Sequence, residues 1–181
     1  MYPAAGICGL SCRLCPRYHT DGKSRCGGCK SPFRMGAGCP FITCAVKKKG
    51  IEHCTLCAEG ETCERWKGHR EASRAHDSFV CYQKLEENIA YVREHGLEAF
   101  ERAQERRERL LARMLSGFDD GRSKTLYTVA ATVLEPEELE GAIEAAEVSS
   151  PGMTMKEKAK IMRHALEGIA REKRYVLALR E

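Results

Sequence analysis

Ten of the eleven cysteines of this chain fall between Cys8 and Cys63. They are spaced as Cys8-x3-Cys12-x2-Cys15, Cys26-x2-Cys29, Cys39-x4-Cys44, Cys54-x2-Cys57 and Cys63. A two-residue gap lets both thiolates of a pair grip one metal ion, and a tetrahedral zinc ion takes four such ligands. Cys12/Cys15, Cys26/Cys29 and Cys54/Cys57 have that gap, so the spacing predicts metal coordination. The simplest partition places Cys12, Cys15, Cys26 and Cys29 in one site, and Cys39, Cys44, Cys54 and Cys57 in a second. Cys8 and Cys63 are left over. They could build a third site completed by His19, His53 or His69, or replace members of the first two. His53, directly before Cys54, is a further candidate ligand, although a histidine beside such a turn is as often a solvated neighbour.

Three other chemistries compete. Cys8-x3-Cys12-x2-Cys15 matches the cysteine spacing of radical S-adenosylmethionine enzymes, but nothing after Cys15 resembles the barrel they need. Four thiolates can also hold an iron–sulfur cluster, which makes that the main alternative cofactor. Thiol redox through Cys26-Gly-Gly-Cys29 lacks the strand–helix setting such motifs require. Zinc, at two to three ions per chain, is the expectation.

The rest of the composition limits what such a site serves. With 43% hydrophobic and 31% charged residues, the chain reads as globular. No run approaches the roughly 20 apolar residues of a membrane span. The N-terminus has no basic leader, so a reducing cytoplasm is expected, where thiols stay unbridged. Residues 1–70 carry 12 Lys and Arg against 5 Asp and Glu, or +7, whereas the whole chain carries +4. A basic face of that kind could suit nucleic acid. Ten thiolates and two or three zinc ions, however, lower the +7 to about +1 or +3, which leaves that partner weakly supported. A protein partner or self-association is the better expectation.

The elements that position the cysteines are irregular. Residues 1–70 are rich in Gly, interrupted by Pro16, Pro32 and Pro40, and thin in apolar side chains. A core so small needs help, and structural zinc contributes roughly 10–16 kcal/mol in small peptides. Two short helices are predicted, over Thr43–Lys49 and over Glu59–Lys67 with Gly68 as a stop. Beyond residue 70 the pattern is helical. Phe79, Tyr82, Leu85, Ile89 and Val92 predict a helix over Ser78–Val92 ended by His95-Gly96. A second covers Leu97–Ser116, with residues 101–109 as a solvated charged surface laced by i,i+4 pairs. A third covers Ser123–Leu134, a fourth starts at Pro136, and the capping box Thr154…Glu157 launches a last helix that carries Val176 and Leu177 inward. Cys81 reads as a small buried hydrophobe. Arg122 and Lys124, in a turn entering a helix, are candidate anion ligands, against the blander reading of Ser123 as a helix cap.

The segments Cys8-Gly-Leu-Ser-Cys12-Arg-Leu-Cys15-Pro-Arg-Tyr18, Cys26-Gly-Gly-Cys29, Cys39-Pro-Phe-Ile-Thr-Cys44 and Cys54-Thr-Leu-Cys57 together resemble an uncharacterised cysteine-rich family of small bacterial and archaeal proteins, grouped as a domain of unknown function. The resemblance covers residues 7–63. Many members carry another cysteine just before the position of Cys39, where this chain has Gly36-Ala-Gly38, and an aromatic-Pro pair where it has Glu61-Thr62. The family implies metal binding and no particular activity.

The expected fold is mainly α: an irregular zinc-knuckle domain over 1–70, followed by a bundle of four to five helices over 71–181. The expected function is a zinc-binding interaction or regulatory module. No acid–base or nucleophile constellation is evident, which leans against an enzyme.

Overall fold

The computed structural model describes residues 5–23, 25–36 and 38–181. Residues 1–4 of the N-terminal stretch, expected to carry no basic leader, lie outside the described residues, as does Ala37 of Gly36-Ala-Gly38. The chain is mainly helical. Its helices are α1 (Pro32–Gly36), α2 (Glu64–Ser73), α3 (Leu85–Phe118), α4 (Lys124–Val133), α5 (Pro136–Ser149) and α6 (Met155–Glu172). Among the described residues there is no strand, and one isolated bridge pairs Ala5 with Ser11. No helix of the described residues is long and apolar enough to cross a membrane.

Glycine divides α3 into two segments. Gly96 sits at φ +81°, ψ 170°, a conformation open to Gly and costly to other residues. The segment before it packs on the cysteine-rich part, where Leu85 and Ile89 join Ile7, Leu10, Ile42, Trp66 and Val80 in one apolar cluster. The segment after it belongs to the bundle, where Leu111 and Met114 pack with Tyr127, Leu139, Ile143, Met162 and Leu166. Thus α3 joins the two parts, and the expected boundary near residue 70 falls inside α2.

The cysteine-rich part is held to this helix at specific points. Gly9, at φ +111°, lies so close to α3 that a Cβ there would come within 2.9 Å of both Ile89 and Leu85 side-chain atoms. Trp66, 1% exposed, donates its indole N–H to the Cys8 carbonyl at 3.3 Å. Arg13 meets Glu108 at 2.8 Å, and Leu14 enters the bundle core.

Several elements depart from expectation. The predicted Ser78–Val92 helix begins only at Leu85. Residues 78–84 instead pass over the cysteines, with the Tyr82 N–H donated to the Asp77 carboxylate and the Phe79 carbonyl facing Cys15 Sγ at 3.7 Å. Helix α2 runs through Gly68 to Ser73, because Trp66 and Ser73 anchor one face and the exposed Gly68 costs only about 1 kcal/mol. The short helix near Thr43 is a π-helix over Ile42–Lys48. The last helix stops at Glu172; Arg174 has φ +61° and Val176 is half exposed. The capping box does form, with the Thr154 side chain accepting the Glu157 N–H and the Glu157 carboxylate accepting the Thr154 N–H at 2.9 Å.

The charged stretch of α3 is less solvated than its composition suggests. Arg102 and Glu98 form an i,i+4 pair. Arg106 instead reaches Glu137 and Glu140 on α5, and Arg107 reaches Glu135 at 3.1 Å. Glu101 is buried and accepts the Ala5 N–H at 3.1 Å. These charges tie helices together.

Candidate metal centre

Two of the three close cysteine pairs adopt the same local turn. Cys12–Leu14 and Cys54–Leu56 are single 3-10 turns, each closed by the N–H of the second cysteine donating to the carbonyl of the first at 3.2 Å. Both second cysteines are extended, at φ −85°, ψ 134° for Cys15 and φ −80°, ψ 128° for Cys57. The residue before each turn is extended as well, so the paired thiols leave the backbone on one side of a tight loop. Cys26-Gly-Gly-Cys29 relies on Gly28 at φ +89° for its reversal.

Cys12, Cys15, Cys26 and Cys29 line one cavity of about 40 Å³, walled by Leu10, Phe79 and Val80. Cys12 Sγ lies 3.4 Å from Cys29 Sγ, and the Cys29 N–H also faces Cys12 Sγ at 3.4 Å. A disulfide would require about 2.05 Å. Two sulfurs on one tetrahedral zinc, each about 2.3 Å from the metal, stand about 3.8 Å apart. The observed separation is thus close to a shared-metal edge and far from a bond. All eleven cysteines are free thiols.

Cys44, Cys54, Cys57 and Cys63 line a second cavity, of about 90 Å³, against Phe41, Ile51 and Trp66. Cys39 does not line this cavity, although it lies near enough to Cys54 for its charge to raise the Cys54 pKa. Lys49 closes one side, with Nζ 3.3 Å from Cys57 Sγ and 2.8 Å from Glu59. Cys8 belongs to neither cavity. It is buried in the cluster that separates them, close enough to Cys29, Cys54 and Cys39 for their charges to raise its pKa further.

The electrostatics of this cluster follow from burial. Burial pushes the thiols of Cys8, Cys15 and Cys54 upward, Cys54 to about 12, with neighbouring cysteines adding to the effect. The hydrogen bond between Cys12 and Cys29 raises the donor, Cys12, and lowers the acceptor, Cys29, which Arg34 and Lys30 assist. Such a donor set is stable as neutral thiols and accommodates thiolates once a cation supplies the opposing charge. Among the described residues, no three His, Cys, Asp or Glu side chains are gathered tightly enough to hold a metal ion as they stand.

The histidines separate on geometry. His53 is fully buried, and its Nδ1 faces the Thr55 N–H at 3.2 Å. A backbone N–H can only donate, so Nδ1 is the acceptor and the ring proton sits on Nε2, which has no partner. In this orientation Nε2 offers no lone pair to a metal. Burial holds the ring neutral, with its pKa down to about 4. His19 is turned to the Arg13 carbonyl. His69 lies between the rings of Phe41 and Tyr82, its Nε2 also unpartnered. Cys81, although it directly follows Val80 of the first cavity's wall, packs in the bundle core.

The turn holding Arg122 and Lys124 supplies its own anions. Asp119 Oδ1 accepts the N–H groups of Gly121 and Ser123 at 2.9 and 3.2 Å. Asp120 Oδ1 accepts the Arg122 N–H at 3.0 Å and the Ser123 hydroxyl at 2.9 Å. Ser123 is the N-cap residue of α4, yet the acceptors are the two aspartates. An external anion would have to displace them.

Comparison with protein-family models, with curated proteins and with solved structures finds no match for this chain. What the fold and the site define is a mainly helical protein with a cysteine-rich unit seated on the first segment of its longest helix.

Proposed function

We propose that this chain is a zinc-binding protein in which thiolate-bound zinc organises the cysteine-rich part, and that it acts as an interaction or regulatory module. One observation carries the reading: Cys12, Cys15, Cys26 and Cys29, from two separate segments, line a single small cavity without forming a disulfide. Cys44, Cys54, Cys57 and Cys63 supply a second donor set of the same kind. Thiolates of this number and spacing suit zinc, and closed four-sulfur sites are structural. Membership of the cysteine-rich family resembled by residues 7–63 is part of the same proposal.

The test is elemental analysis with native mass spectrometry on protein purified without oxygen. Two to three zinc ions on a colourless chain is the expected result. Iron with sulfide and a brown chain would establish the iron–sulfur alternative, and a fully folded, metal-free chain would overturn both.

A further inference from the structure

A cavity of about 330 Å³ lies where the cysteine-rich part meets α3 and the α4–α5 junction. It is within the size range of small-molecule sites, about 300–1,000 Å³. Its charged groups are already paired. Lys84 Nζ meets Glu87 at 2.5 Å, and Arg107 meets Glu135 while donating to the Ala131 and Leu134 carbonyls at the end of α4. Its unpaired groups are neutral. Gln104 is 5% exposed, yet no described residue hydrogen-bonds its side-chain amide. Ser11, also 5% exposed, has a buried hydroxyl without a partner among the described residues. Asn88 donates to the Gly9 carbonyl, which leaves its Oδ1 free toward the cavity it lines.

Leaving a buried hydroxyl unpaired costs about 1–3 kcal/mol, so such groups normally have partners. Here the unpaired Ser11 hydroxyl lines the same space as the Gln104 amide, beside the rings of Tyr91 and Phe100. The free groups offer neutral donors and acceptors next to an aromatic wall, and no free charge. We propose that this cavity binds an uncharged nucleoside or nucleobase. Gln104, Ser11 and Asn88 hydrogen-bond its polar edge, and Tyr91 packs against its ring. No cysteine lines this cavity, but Ser11 directly precedes Cys12, so the site needs the cysteine-rich part folded and is tested on the metal-replete chain.

Calorimetric titration of the metal-replete, full-length chain with adenosine, guanosine, cytidine and uridine tests this. Saturable binding of at least one is expected, weakened about tenfold or more by Gln104→Leu. That variant has nearly the same volume and removes an unpaired amide, so its thermal midpoint without ligand should stay level or rise. Ala103→Leu, which fills the cavity from the same helix, should abolish binding while the helical circular dichroism is retained. No saturable binding of any nucleoside or free base overturns the proposal. So does binding that both variants leave unchanged, and so does binding of small carboxylates or phosphates alone.

Discussion

The buried carboxylate of Asp77 and the guanidinium of Arg180 pair across 103 residues of sequence, with Nε 2.9 Å from Oδ2 and Nη2 3.0 Å from Oδ1. The Arg180 backbone N–H adds a third bond at 2.8 Å, and the guanidinium also caps the carbonyls of Ser73 and Arg74 at the end of α2. This clamp fastens the C-terminal tail to the link between α2 and α3. It gives residues 173–181 a structural role that their sequence, read as a continuation of the last helix, does not suggest.

Arg180→Ala should therefore destabilise the chain by about 3 kcal/mol, because it strands a buried carboxylate. Burial alone pushes the Asp77 pKa up, but hydrogen bonds from Arg180 and Tyr82 outweigh it, and the net direction is below the ordinary 3.8. A carboxylate lowered in this way adds stability that is fully present above its unfolded value and is lost as pH falls through the folded one. Denaturant midpoints should thus drop more steeply below about pH 4 in the parent chain than in Asp77→Asn, which has no proton to gain there. Equal slopes for the two would contradict the clamp.

Removing metal should unfold one part and spare the other. Trp66 is the chain's single tryptophan and lines the cavity of Cys44, Cys54, Cys57 and Cys63. A strong chelator under reducing conditions should shift its emission to the red as water reaches the ring. Most of the far-ultraviolet helical signal should persist, since α4, α5, α6 and the second segment of α3 share their own core. Simultaneous loss of both signals would mean the bundle depends on the metal.

Single cysteine replacements should divide into two classes. Cys26→Ser lowers the bound zinc by one ion, because that thiol lines a four-cysteine cavity. Cys81→Ser leaves the metal count unchanged and costs about 1–3 kcal/mol for a hydroxyl placed in the apolar core. Native mass spectra of the two variants, side by side, distinguish ligand from filler.

The seat of the cysteine-rich part on α3 depends on Gly9. Gly9→Ala should cost about 1–3 kcal/mol in backbone strain, with a similar amount for crowding Ile89 and Leu85. Gly22→Ala, with φ +89° and open space around the new methyl group, should show the strain alone. Urea unfolding of the pair measures the difference, which is the contribution of the close approach.

What was legible in the residues is what short-range geometry governs. Cys12–Cys15 and Cys54–Cys57 each close one i to i+3 hydrogen bond and so make the same turn, whereas Cys26–Cys29, with two glycines between, does not. The break at Gly96, the cap at Thr154 and the helical period of the second half are local in the same sense. Contacts between distant segments obey no such rule. The cavity shared by Cys63 and Cys44, the late start of α3 at Leu85 and the passage of α2 through Gly68 follow from where Trp66, Phe79 and Asp77 find partners. So does the cavity that gathers Ser11, Asn88 and Gln104: its members lie on elements more than 70 residues apart, and no spacing along a chain encodes a space between elements. Local hydrogen bonds chose the turns and the helices. Long-range packing chose which thiols share a cavity and which polar side chains line a common space.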